Sequence, residues 1–575
     1  MIHYKLSYEI PTRHFIHVDF CMENPKADIQ LINLPFWRPG RYERGSFAKN
    51  IQEFHVFDEN KKHLNFRKVE GHTWEIETQG AKELHISYNY YAADLNAGST
   101  YVDRGILYVN PVNLCLYPVG EEATPCTLEL KTEEGLKVLG AMPELKDGKY
   151  QFSDFHHIAD TPFMCVKKSQ TIEVKTDRST YFLHFWGYFK LDETKISRDF
   201  KKFITLNEAL FSENPYKDYH FLFIGLPNNF HHGVEHKEST VIALGPGHSI
   251  LGKDYNEFLS ISCHELYHAW NVKSIRPIEL WPYRYNEDSY SNLGYLCEGV
   301  TTYMGNLLLF QSGVWEFEDL AQEFEKFFDR HFNNFGRYNH SVAESSFDTW
   351  LDGYERGIPN RKVSIYNEGA LLTFCMDTII RKKHDGKKSF HDVMHKLYED
   401  FYKNGLGVSE QQYWDTIAHF AGEDIRAFFE NYIHGTGDYH AIVDEAFDYL
   451  GLEYEAKPAK EFHEAHLGMK IVQRKGENPW HIIAIYPGSP AETMGLYVGD
   501  QLLMVNDIEA EDDFPKWLEY FVDDKYQFVL RRNSIVKLIE LKASERVFYK
   551  DYKVKRLDHP SRSQREAYNK WSYKK

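Results

Sequence analysis

The sequence has no apolar run near the roughly 18 to 20 residues that a membrane-spanning helix needs. Its opening stretch, MIHYKLSYEIPTRHFIHVDF, alternates like a strand and lacks the basic start and apolar centre of a secretion signal. No membrane role is expected. Positive charge is also in deficit, with 67 Lys and Arg against 85 Asp and Glu, a formal charge of −18. A chain this acidic is not built to hold a nucleic-acid backbone, and it attracts cations instead, peptide amino termini among them. Cysteine is scarce: seven residues, an odd number, scattered and without a C-x-x-C pair. That excludes a disulfide framework and points to reduced core thiols and a cytoplasmic location.

What the chain does have is apolar mass, 42% hydrophobic and 16% aromatic over 575 residues, enough for several packed domains of a multidomain α+β protein. Residues 1–170 show short alternating runs such as IHVDFCM, TWEIETQ and ELHISYNYYA between turn residues, the pattern of an all-β domain. Its expected role is scaffold or cleft wall. Inside it, LPFWRPGRYERGSFAKNI (Leu34 to Ile51) reads as a fixed turn kept for structural reasons. Residues 171–455 begin with strands, HFLFIGL and STVIALGP, around a helix near Ser197 to Phe211, and turn to helical periodicity from 255 to 435. A compact strand-and-turn module follows at 460–545. The tail 546–575 carries ten Lys or Arg against three Asp or Glu, a local charge of +7, and is expected to pack back on the acidic body.

The chemistry concentrates in LSISCHELYHAWNVKSIRP, Leu259 to Pro277. His264, Glu265 and His268 form H-e-x-x-H order, and on a helix ended by Pro277 the two imidazoles face one metal ion while Glu265 takes a proton from its water. With 29 histidines in the chain, that motif arises by chance in roughly one such sequence in ten. Glu298 decides the matter. It sits in SNLGYLCEGVTTYMGNLLLF among apolar positions that mark a buried face, where a carboxylate is costly unless paired or bound to metal. Two His and one Glu leave a fourth position open, the catalytic arrangement of zinc. Cys263 and Cys297 adjoin these residues and read as small packing side chains. In HHGVEHKES, Gly233 to His236 read as a loop that offers Glu235 at a cleft rim, with a solvated loop charge an even alternative.

Four separated signatures, HELYHAWNVKSIRP, CEGVTTYM, LPFWRPGRY with FAKNI, and the carboxy-terminal module, together resemble the glycyl aminopeptidase family of zinc metallopeptidases. The resemblance implies an N-terminal β domain, a thermolysin-like gluzincin catalytic domain and a PDZ domain. It implies one zinc per chain on His264, His268 and Glu298, with Glu265 as general base. GVEH resembles the G-x-M-E-N element of related aminopeptidases, which makes Glu235, beside Gly233, the carboxylate for the substrate's free amine. YNEGALL resembles their Y-x-K-G-A element, which makes Tyr366 the donor to the developing oxyanion, although Glu368 stands where that element has Lys. In the module, His466-Leu467-Gly468-Met469 resembles a PDZ carboxylate-binding loop.

The expected activity is zinc-dependent removal of small N-terminal residues, Gly or Ala, from peptides with a free amino terminus, and a peptide or protein C-terminus is the expected partner of the module. A zinc endopeptidase that recruits substrates through the module, and a PDZ binding protein with an idle zinc site, are the alternatives.

Overall fold

The computed structural model describes all residues except 147, 355–356, 475–478, 523–524 and 574–575. The first third is β-rich. Ile2–Ser7 and Phe15–Glu23 bury every second side chain and pair antiparallel inside a seven-stranded sheet, so the alternation in the sequence becomes one face turned to a core. Ile2–Ser7 also runs parallel to Cys126–Lys131. Two four-stranded sheets complete this part.

Its core is not closed by its own residues alone. Tyr283, Tyr285, Cys297 and Trp350 from far along the chain pack into it. Trp37, fully buried, donates its indole N–H to the Arg284 carbonyl at 2.8 Å. The dense LPFWRPGRY segment is therefore a wedge driven into the helical half.

A five-stranded sheet follows, in the order Gln170–Lys175, Thr180–Gly187, Asp218–Gly225, Ser239–Gly245, Phe230–Glu235. The segment expected as a loop around Glu235 is instead the edge strand of this sheet. It runs antiparallel to Ser239–Gly245, with Gly233 opposite Ile242 and Glu235 opposite Thr240. Pairing to that almost wholly buried neighbour outweighs the weak strand propensity of His-His-Gly.

The helices pack against this sheet. The motif helix spans Tyr255–Tyr267 and stops well short of Pro277, because His268 is its cap and the chain then turns sharply. Lys273 N–H bonds the His268 carbonyl at 2.9 Å, and Ile275 N–H bonds that of Trp270 at 2.7 Å. Glu298 lies on a π-helical turn, Tyr295–Val300, that runs into the helix Thr301–Gln311. Such turns widen a helix and often occur at functional sites. Here Gly299 meets Gly369 so closely that a Cβ on Gly299 would lie 2.3 Å from the Gly369 Cα, which lets the helix Ile365–Lys383 bring Tyr366 toward Glu298.

The strand-rich module has its own core, from Leu467 to Leu541. It is an insertion: the strands before and after it, Leu452–Pro458 and Lys550–Arg556, pair with each other antiparallel. The basic tail then folds back as the helix Arg562–Trp571. Trp571 is fully buried and donates its indole N–H to the Tyr303 hydroxyl at 3.2 Å, while Gln311 donates to its carbonyl at 2.7 Å. All seven cysteines are free, and six are buried. Among the described residues no helix is long and apolar enough to cross a membrane.

Candidate active site

The motif helix, the π turn and the edge strand converge on one cleft of about 710 Å³, with Gly40, Glu235, His264, Glu265, Tyr354 and Tyr366 on its walls. His264 Nε2 and His268 Nε2 are 3.0 Å apart, and Glu298 Oε2 is 3.5 Å from the first and 3.4 Å from the second. Two donors held at zinc's usual ~2.05 Å and at the tetrahedral angle sit about 3.3 Å apart, so the two nitrogens and the oxygen fit one such ion. The tautomer fits as well. His268 Nδ1 donates to the Asn271 carbonyl at 2.6 Å, which assigns a proton to that nitrogen and leaves Nε2 as the atom that faces a proton or a metal ion. Asn271 in turn donates to the Leu296 carbonyl at 2.8 Å, tying the turn after the motif to the helix of Glu298.

Electrostatics gives the same answer. Glu235, Glu265 and Glu298 are 3%, 5% and 2% exposed, three carboxyl groups around one buried imidazole. Burial opposes a charge on His268, but Glu298 and Glu235 outweigh it and drive the ring up to about 10. Burial and then His268 push His264 down to about 4. Burial works against the Glu298 carboxylate too, yet His268 and His264 hold it down at about 2. The centre demands positive charge, either a proton between these groups or a metal cation in its place.

Glu265 Oε2 and Glu235 Oε1 are buried without a hydrogen-bond partner. Burial pushes the Glu265 carboxyl well up from its ordinary value. Glycine permits both placements. A Cβ on Gly233 would lie 2.2 Å from Glu265 Oε1, and one on Gly40, whose φ of +82° already disfavours other residues, would lie 2.3 Å from Glu235 Oε2. A buried carboxylate oxygen without a hydrogen-bond partner is expensive, so the space beside Glu235 favours a cationic group. Tyr366 stands at the start of its helix with its ring centroid 6.3 Å from that of His264, and burial keeps its hydroxyl protonated. Glu368, the departure from the related motif, is buried away from the cleft as the acceptor of His331 Nδ1 at 2.7 Å.

The structure thus gathers every residue singled out for the catalytic cleft: His264, Glu265, His268, Glu298, Glu235, Gly233 and Tyr366 all line it. His466 to Met469 lie apart, in the inserted module, where Gly468 follows a short π turn and precedes the strand Met469–Gln473. Several residues of the site were missed. Tyr42 donates its hydroxyl to Glu298 Oε1 at 3.2 Å. Asp160 accepts from His236 Nδ1 at 3.0 Å, from Lys273 Nζ at 2.8 Å and from the Lys237 N–H at 3.0 Å, pinning the strand end after Glu235 to the turn after His268. Burial opposes the Asp160 charge, but Lys273 and His236 hold the carboxyl below its usual range. The density of Trp, Pro, Gly and Tyr around Tyr42 was the available signal. Nothing in HHIADTPF marks Asp160.

Family models support the assembly. The M61 peptidase N-terminal domain matches residues 3–167 and the M61 glycyl aminopeptidase domain matches residues 257–372. No curated protein matches the sequence. Among solved structures, an aminopeptidase N family protein from Idiomarina loihiensis is similar at 24% identity and a TM-score of 0.90, over 99% of this chain and all of that one, a likeness of fold. An M1 zinc metallopeptidase from Deinococcus radiodurans aligns at 12% identity and a TM-score of 0.47, over 76% of this chain and 94% of that one. With an M61 peptidase N-terminal domain and an M61 glycyl aminopeptidase domain matched in order along the sequence, the chain is a metallopeptidase.

Proposed function

We propose that this metallopeptidase is a zinc-dependent aminopeptidase that removes small first residues, Gly or Ala, from peptides with a free amino terminus. The observation that carries the reading is the unpartnered, buried carboxylate of Glu235 at the rim of the ligand cluster. A peptide's ammonium group is the natural occupant beside it, and a chain interior offers no such cation. His264, His268 and Glu298 would hold the zinc. When bound, the ion supplies a Lewis acid that draws charge from a carbonyl oxygen and from water.

The rest is done by side chains. Glu265, with one free carboxylate oxygen facing the cleft and an affinity for protons raised by burial, accepts the proton of the attacking water and passes it to the leaving amine. The Tyr366 hydroxyl donates to the carbonyl oxygen as it takes on charge. Glu235 fixes the amine and so sets which bond lies in reach.

In domain terms the proposal is a β domain over residues 1–170, a thermolysin-like catalytic domain over 171–455, a PDZ-like module over 460–545 and a basic tail over 546–575. The paired strands Leu452–Pro458 and Lys550–Arg556 support treating the module as an insertion whose His466–Met469 loop meets a peptide C-terminus away from the chemistry. The test is a panel of free and N-acetylated peptides, each assayed with and without a zinc chelator. Cleavage that needs both the free amine and the metal is expected. Equal cleavage of acetylated peptides would replace this reading with that of an endopeptidase.

A further inference from the structure

Part of the cleft lining is explained by neither the ligand cluster nor Glu235. Arg41, from the loop that follows Gly40, lays its guanidinium over the ring of Tyr354, 5.4 Å from the centroid. The two come from opposite halves of the molecule, and Glu43 clamps them together. One of its oxygens takes Arg41 Nε, and the other accepts the Tyr354 backbone N–H at 3.2 Å. The approach needs a glycine before Tyr354, because a Cβ on Gly353 would fall 2.0 Å from Glu43 Oε2. The hydroxyl of Tyr354 interacts with that of Tyr366, and the phenol lies within electrostatic reach of both Glu298 and Glu235.

That position has a chemical meaning. With the substrate's amine on Glu235 and its carbonyl between the ligand cluster and Tyr366, the carbon that bears the first side chain lies between those two ends. Arg41 and Tyr354 line the cleft together with Glu235, Glu298 and Tyr366, which puts them within reach of that carbon. We infer that Arg41 and Tyr354 form the wall of the first-side-chain pocket and determine its specificity, an inference that rests on the aminopeptidase reading above. A hydrogen or a methyl group fits in front of the wall. A branched or aromatic side chain meets the Tyr354 ring, and a cationic one meets like charge at Arg41.

The experiment uses the full chain and fluorogenic amides of Gly, Ala, Leu, Phe and Lys, with wild type, Tyr354→Ala, Tyr354→Phe and Arg41→Ala. Tyr354 is 41% exposed on a surface segment, so its truncation does not open the core, and Arg41→Ala tests the same wall from the other half. Zinc content is measured for each variant to exclude an effect through the metal. The readout is the ratio of kcat/KM for Leu to that for Gly, in which any general loss through Tyr366 cancels. Tyr354→Ala should raise it by at least about tenfold, the smallest step that one methylene normally makes in such a pocket, chiefly through KM for Leu. Tyr354→Phe keeps the ring and should leave the ratio within about threefold of wild type, the hydroxyl affecting only the common rate. Arg41→Ala should raise the Leu and Lys ratios together. Unchanged ratios in both alanine variants, with free-amine dependence intact, would overturn the wall and leave the aminopeptidase reading standing. Loss of free-amine dependence in the wild type would overturn both.

Discussion

Tyr42 holds Glu298. Its hydroxyl reaches Glu298 Oε1 at 3.2 Å while Oε2 of the same carboxylate faces the two histidines, so a residue of the β-rich first part orients a carboxylate carried by the helical part. Tyr42→Phe removes only the hydroxyl. It should keep the fold and weaken zinc affinity by about 10- to 100-fold, the usual effect of losing a bond behind a ligand, measured by competition with a chromophoric chelator. Unchanged affinity would show that the π turn alone fixes Glu298.

The ligands and the base separate cleanly. His264→Ala, His268→Ala and Glu298→Ala should each abolish stoichiometric zinc, because a three-residue site has no donor to spare. Glu265→Gln should retain the metal and lose at least about 10²-fold in kcat, since it removes a proton acceptor and no donor atom. Metal analysis beside steady-state kinetics distinguishes the two classes, and near-normal turnover of Glu265→Gln would contradict the mechanism.

The motif helix was readable from sequence because a spacing of four fixes both histidines on one face whatever the rest of the chain does. Glu298 was readable as a carboxylate on an apolar face. Tyr42, Gly40 and Arg41 were not, because their role exists only once Trp37 has wedged its loop beneath Arg284. Read alone, that loop shows only the need for a rigid turn. Glu235 was placed on a loop and lies on an edge strand, since His-His-Gly carries little strand signal and its partner Ser239–Gly245 supplies the order. The insertion of the module was invisible for a similar reason. The strands that bracket it are ordinary until they pair.

That pairing makes a prediction about the carboxy terminus. Truncation at the start of the module also removes Lys550–Arg556 and the buried Trp571, so it should unfold the helical part. Trp571→Ala alone should cost about 3 to 5 kcal/mol in denaturant unfolding. Replacing residues 462–547 by a short Gly-Ser linker is different, because the Ala459 N–H already bonds the Tyr549 carbonyl at 3.1 Å and the ends are adjacent. That variant should fold and hydrolyse small aminoacyl substrates at near the wild-type rate. A large loss of kcat in the folded deletion would show that the module shapes the cleft.

Asp160 governs acid stability at the seam. Its carboxyl lies below the usual range, and burial pushes His236 down, so the charge opposite it at neutral pH is on Lys273, whose side chain is 1% exposed. A carboxyl depressed in the folded state contributes stability that is present above its unfolded pKa of ~3.9 and is lost as pH falls below that value. Asp160→Asn strands the Lys273 ammonium and should cost about 3 kcal/mol at pH 7. The difference from wild type should shrink as pH falls below ~4, in urea unfolding measured across that range. A difference independent of pH would assign the loss to packing.

Whether Glu235 holds a free amine is measured most directly by kcat/KM for a glycyl peptide and its N-acetyl form, each with wild type and Glu235→Ala. A desolvated ammonium–carboxylate pair is worth about 2 to 5 kcal/mol on loss of one partner, so the mutation should cut kcat/KM for the free peptide by roughly 30-fold to several thousand-fold. The slow cleavage of the acetylated peptide should stay the same or rise slightly, because it never had a cation to place there. Equal cleavage of both peptides by the wild type, with Glu235→Ala hurting both alike, would contradict the claim.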